Sequence, residues 1–195
     1  MWWKAFFTFT IPEKFLSLNF LLVCVPRRQG KKRKIEPLGT HSTRYIDTDH
    51  LIAYIYKERD KYPLVRKIST LAPIVIVSMV VIGEVINEIL QREKRNEEIS
   101  ERIYKLVEII KVMGADIQPA SEEALKIALK CLEIDDRLKP TDAVIFAQAL
   151  CDKDSVQLLT FDDVLTTSLR LQEFEEKLRK EGKRSRRLRI SQIKS

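Results

Sequence analysis

The chain has 195 residues, of which 45% are apolar and 32% charged, and its formal net charge is +7. That length suits one domain of ordinary size with some chain left over, and no repeat or low-complexity tract stands out. Three scattered cysteines without a C-x-x-C pair, and two histidines near one end (His41 and His50), argue against a disulfide framework, structural zinc or a Ser-His-Asp triad, and for a reducing compartment such as the cytoplasm.

The charge is uneven: residues 1–44 carry +7, residues 45–170 carry −5 and residues 171–195 carry +5. Basic ends on an acidic body suit a polyanionic partner and leave the body free to hold a metal. Solvated basic tails explain the same charges equally well.

Residues 1–43 read as an N-terminal extension to a domain at 44–195. Trp2, Trp3, Phe6, Phe7 and Phe9 crowd the start, and Phe15 to Val25 is apolar apart from Ser17 and Asn19. Glu13 and Lys14 interrupt what a spanning helix of about 20 apolar residues would need. No small-residue cleavage site precedes Pro26-Arg27-Arg28. A poorly ordered extension or a translation start placed too far upstream is favoured over a membrane-surface anchor.

From Tyr45 the pattern alternates strand and helix. Arg44 to Asp47 reads as a short strand, Asp49 to Tyr56 as a helix, and Pro63 opens a second short helix to Leu71. Ile74-Val75-Ile76-Val77 is a continuous β-branched run, hence a buried strand. Ser78 caps a helix to Arg92, and Asn96 caps the next, which Gly114 ends. Ala115 to Gln118 is a weak strand, and Ser121 opens a helix to Ile134. After a polar loop, Pro140-Thr141 begins a helix to Leu150, and Val156 to Thr160 forms another buried strand. One amphipathic helix, Val164 to Lys180, and a period-two edge strand, Leu188 to Ile193, complete the series. Such alternation predicts an α/β fold with a parallel sheet covered on both faces by helices.

Four carboxylates recur at the ends of these elements. Asp47 and Asp162 each follow a strand, so in a parallel sheet both emerge at one edge. Asp142 starts a helix, Ala143-Val144-Ile145-Phe146-Ala147 onward, that is apolar all round and must be buried. Glu84 lies beside Gly83, an odd residue for a helix interior. Each has a bland reading, as helix cap or solvated stripe, but four such coincidences together carry more weight. Two carboxylates ~4 Å apart repel by about 4 kcal/mol at an effective dielectric of 20, so such a site needs protons or a cation. Oxygen-only ligands select Mg²⁺ or Mn²⁺ over zinc, and that chemistry suits phosphodiester hydrolysis without a covalent intermediate.

Ile46-Asp47-Thr48-Asp49-His50-Leu51, Ser78 with Glu84, Lys139-Pro140-Thr141-Asp142-Ala143 and Leu158-Leu159-Thr160-Phe161-Asp162 resemble, in order and spacing, the PIN-domain ribonucleases. The branch most resembled is the small VapC-like toxins and their archaeal relatives, and the likeness covers about residues 44–165. It implies a three-layer α/β/α fold with a central parallel sheet of four or five strands, and Asp47, Glu84, Asp142 and Asp162 around Mg²⁺ or Mn²⁺, with the Thr48 and Thr160 hydroxyls holding the carboxylates. Ser78, Asp49 and Asp163 enter as supporting residues, although the family often has Asn where Asp49 stands. Lys139 and Arg137 are candidates for RNA contact. The resemblance also implies RNA as substrate, a small antitoxin partner and a homodimer.

Two other readings compete. In a haloacid-dehalogenase-like phosphatase Asp47 would be the nucleophile and Asp49 the acid, but that fold needs a hairpin insertion where the helical run Leu51 to Tyr56 stands, and it leaves Glu84 and Asp142 idle. In the other, a PIN-like module binds RNA or a partner without catalysis.

Overall fold

The computed structural model describes residues 42–68 and 74–191, all within Thr40–Ser195, the second of two units into which the chain divides. Of the extension expected at 1–43, residues 1–41 lie outside the described residues, as do the expected ends of the second helix at Leu71 and of the last strand at Ile193.

Five parallel strands form one sheet: β1 (Thr43–Ile46), β2 (Ile74–Ser78), β3 (Asp116–Gln118), β4 (Ser155–Leu159) and β5 (Arg189–Ser191), in the order β3-β2-β1-β4-β5. The order runs outward from β1 in both directions, so the chain reverses between β1 and β4. Open parallel sheets bind ligands at such a reversal, outside the carboxyl ends of the strands. The register sets Ile46 of β1 against Leu159 of β4, so Asp47 and the Thr160–Asp162 turn leave the sheet side by side.

The helices cover the sheet. They are α1 (Thr48–Ile55), α2 (Tyr62–Ile68), α3 (Met79–Arg92), α4 (Asn96–Met113), α5 (Glu122–Ile134), α6 (Pro140–Cys151), α7 (Asp163–Thr167) and α8 (Leu169–Lys180). Strand β2 buries Val75, Ile76 and Val77, as its β-branched run requires. Helix α6 buries nearly every residue from Asp142 to Leu150, and Pro140 opens it where a missing N–H does no harm. Gly114 closes α4 in the left-handed conformation at φ 59°, the geometry that glycine adopts without strain. No helix among the described residues is long and apolar enough to cross a membrane.

Two local expectations are corrected. Helix α4 starts at Asn96 itself, with Arg95 in the cap position and no side-chain cap; an ion pair from Arg95 to Glu98 and two first-turn glutamates suit its N-terminal dipole instead. The single helix expected over Val164 to Lys180 is two. Ser168 is extended at φ −66°, ψ 107°, closes α7 and caps α8 through Leu171 N–H, while its Oγ donates to Asp135 Oδ2 at 2.7 Å. A serine with a buried carboxylate partner competes with the helical backbone, and here it wins. Gly83 remains odd for a helix interior, since a Cβ there would meet nothing within 4 Å.

At the amino ends of β1 and β4 sits a buried cation. Arg184 is 2% exposed, and its Nη1 donates to the carbonyls of Ala149, Leu150 and Asp152 at 2.7, 3.0 and 3.1 Å. Its Nη2 donates to Ser155 O, its Nε to Arg186 O at 2.7 Å, and Glu175 stands 3.7 Å away. This guanidinium ties the segment after α8 to the end of α6 and the start of β4.

Candidate active site

A cleft of about 350 Å³ opens at the carboxyl ends of β1 and β4 and is lined by Asp47, Glu84, Asp142 and Asp162, with Asp49 beside them. Each carboxylate arrives by a local rule. Asp47 leaves β1 in an extended conformation and caps α1, its Oδ1 accepting Thr48 N–H at 2.7 Å. Asp162 caps α7, its Oδ1 accepting Leu165 N–H at 2.9 Å. Asp142 stands in the first turn of the buried helix α6, and Glu84 projects from the second turn of α3.

Threonines join these groups. Thr160 Oγ donates to Asp47 Oδ2 at 2.7 Å and accepts Asp162 N–H at 2.9 Å, so one buried hydroxyl spans two of the carboxylate positions. Thr48 Oγ donates to Glu84 Oε2 at 2.5 Å and Thr141 Oγ to Glu84 Oε1 at 3.1 Å. Thr141, which precedes Asp142 in the Lys139-Pro140-Thr141-Asp142-Ala143 motif, thus serves Glu84.

The cluster holds more negative charge than its surroundings favour. Burial, then the neighbouring Asp49 and Asp142, push the Asp47 carboxyl up to about 7, against the opposing hydrogen bonds from Thr160 and Thr48. Burial, followed by the charge of Asp162, pushes Asp142 up to about 6, with Lys139 opposing the rise. Among the described residues no three His, Cys, Asp or Glu side chains are placed so as to hold a metal ion as they stand. The donors are nevertheless all oxygens, and their mutual repulsion is what a proton or a hard divalent cation relieves, so the residues fit Mg²⁺ or Mn²⁺ better than a soft metal.

The remaining sequence candidates separate. Lys139 lines the cleft. Arg137 does not: its Nε and Nη2 hold Asp135 at 2.9 and 2.7 Å, which keeps that carboxyl well below its usual range. Ser78 is buried away from the cleft, capping α3 and donating to Gln148 Oε1 at 2.5 Å. Asp163 is exposed at the start of α7. Asp49 lines the cleft, but both its oxygens accept hydrogen bonds from other residues. Two cations at the rim, Lys61 and Arg92, were missed. Arg92 lies two helical turns beyond Glu84, a spacing that could have found it; Lys61 sits in a turn and gave no signal.

A sequence model of the PIN domain matches residues 44–167. The chain belongs to the PIN-domain family. Among solved structures, this PIN domain is similar to VapBC2 from Rickettsia felis bound to a DNA fragment from their promoter, at 13% identity and a TM-score of 0.54, covering 78% of this chain and 99% of that one. Lower scores are found for VapC20 of Mycobacterium tuberculosis, a sarcin-ricin loop cleaving toxin (17% identity, TM-score 0.48, 62% and 90% coverage), and for FitAcB from Neisseria gonorrhoeae (15%, 0.49, 61% and 87%). No significant match was found among curated protein sequences.

Proposed function

We propose that this PIN domain is an endoribonuclease that hydrolyses RNA phosphodiester bonds with Mg²⁺ or Mn²⁺ held by Asp47, Asp142 and Asp162, and by Glu84 directly or through water. The observation that carries the reading is the crowding of four carboxylates in one cleft at the sheet reversal of a PIN domain. A cation bound there would lower the pKa of a coordinated water and offset charge on the phosphate. The chain's own residues do the rest. The Asp47 and Asp142 carboxyls, raised to about 7 and about 6 while uncompensated, would be fully ionised as ligands. Thr48, Thr141 and Thr160 fix carboxylate rotamers through their hydroxyls. Lys139 is the cation in the cleft suited to an RNA phosphate, whereas Lys61 and Arg92 pair there with Glu58 and Glu88.

Membership of a family with toxin relatives supports a small antitoxin as partner, a homodimer as the assembly and the cytoplasm as the site of action. The phosphatase alternative gains no support, because α1 begins at Thr48 without an intervening hairpin, and Glu84 and Asp142 both line the cleft. Labelled RNA should be cut in Mn²⁺ by the full chain and left intact by Asp47→Asn. Cutting that survives this substitution overturns the assignment, whereas RNA binding without any cutting favours the non-catalytic module.

A further inference from the structure

Asp49 lies in the cleft beside the metal-binding candidates, yet its oxygens point to a different task. Oδ2 accepts the Phe161 N–H at 2.6 Å, and Oδ1 faces His50 Nδ1 at 2.6 Å. Phe161 N–H is the amide directly before Asp162, whose own N–H goes to Thr160 Oγ at 2.9 Å. Two consecutive amides at the exit of β4 are thus held by side chains. His50 completes a closed loop. It is fully buried, and its ring stacks on that of Phe161 with centroids 4.1 Å apart and planes 9° from parallel. Its Nε2 is buried without a partner, so the imidazole does not pass a proton onward through a described side chain.

We infer that Asp49 and His50 are positioning residues that clamp the Phe161–Asp162 turn to the start of α1 and so set where the Asp162 carboxylate stands. The inference rests on the metal-dependent function proposed above. The clamp uses both oxygens of Asp49; an asparagine keeps one acceptor for the Phe161 N–H and can donate its amide N–H to Nδ1 of the other imidazole tautomer. Asp49 then shapes the metal site without being a ligand, the part that hydrogen-bonded neighbours of ligating carboxylates play.

The test compares wild type, Asp49→Ala and Asp49→Asn as full chains, by amide hydrogen exchange and by Mn²⁺ titration of thermal unfolding. In Asp49→Ala the Phe161 amide should exchange about tenfold faster while the β2 amides stay protected. The Mn²⁺ midpoint of that variant should rise about tenfold. Asp49→Asn keeps the acceptor for Phe161 and should stay within about threefold of wild type on both measures. If Asp49→Ala does not fold, Asp49→Ser replaces it with the same expectation. Unchanged Phe161 protection in Asp49→Ala, or an unchanged Mn²⁺ midpoint despite lost protection, overturns the inference. So does Asp49→Asn behaving like Asp49→Ala, the result expected of a direct ligand. Wild type that shows no Mn²⁺ response at all instead defeats the function proposed above.

Discussion

At the amino ends of the strands one cation, Arg184, is buried against carbonyls of Ala149, Leu150, Asp152, Ser155 and Arg186, with Glu175 close by. At the carboxyl ends of the same strands, carboxylates of one sign crowd a cleft, and burial with mutual repulsion raises two of them toward neutral pH. Both regions bury charge, but in the first all three guanidinium nitrogens donate to carbonyls, whereas in the second the charges repel one another. A paired buried charge holds a fold together, whereas an unrelieved one stores a demand for something not in the chain. The difference separates a structural centre from a functional one without reference to any relative.

The largest way to break that comparison is Arg184→Leu. It strands four or more carbonyls and Glu175, and it should lower unfolding free energy by about 3–5 kcal/mol in a urea titration. A loss under about 1 kcal/mol would mean that water replaces the guanidinium freely, and the contrast would lapse.

At the other end the sign should reverse. Asp142→Asn removes a repelling charge at constant shape, so the metal-free protein should melt a few degrees higher while RNA cutting falls by about 100-fold or more. The pH dependence follows from the same charges. Asp47 shifts from 3.8 when unfolded to about 7 when folded, so the native state binds the extra proton between those values. Stability from this group is complete below the lower value and lost as pH rises through about 7. Thermal melts of metal-free protein should therefore fall from pH 5 to pH 8, with a weaker fall in Asp142→Asn. Added Mn²⁺ should flatten the profile.

The smallest effect is expected at Gly83, one residue from Glu84. With open space for a Cβ and a helical backbone, Gly83→Ala should raise stability by about 0.5–1 kcal/mol in the same titration. A loss instead would reveal that the glycine serves the cleft in a bound state.

The strands and the four carboxylates were legible because they obey local rules. A β-branched run makes β2, an apolar helix makes α6, and Asp47 and Asp162 follow strands whose parallel pairing brings them together. The rest depends on residues far apart in the chain. Nothing near Ser168 announces Asp135, 33 residues away, as the acceptor that breaks α7 from α8. The Arg184 centre is made of carbonyls, which every residue carries and no sequence pattern marks. The contacts of Asp49 were not legible because an amide at Phe161 and an imidazole stacked on its ring come together only once β4 and α1 are side by side. Arg137 erred the other way: an exposed cation was read as available when Asp135, two residues before it, already held it.

Strand β5 lies beyond the stretch that matches the family, yet Ser191 O accepts Thr160 N–H at 3.3 Å, and Thr160 in turn holds Asp47. A chain trimmed at the family boundary would leave β4 as a bare rim of unpaired amides, a template for sticking to other molecules. It would also slacken the hydroxyl that links Asp47 to the Asp162 turn. For this protein the borders of recognisable ancestry and of the folded sheet do not coincide, and the second lies more than twenty residues further on.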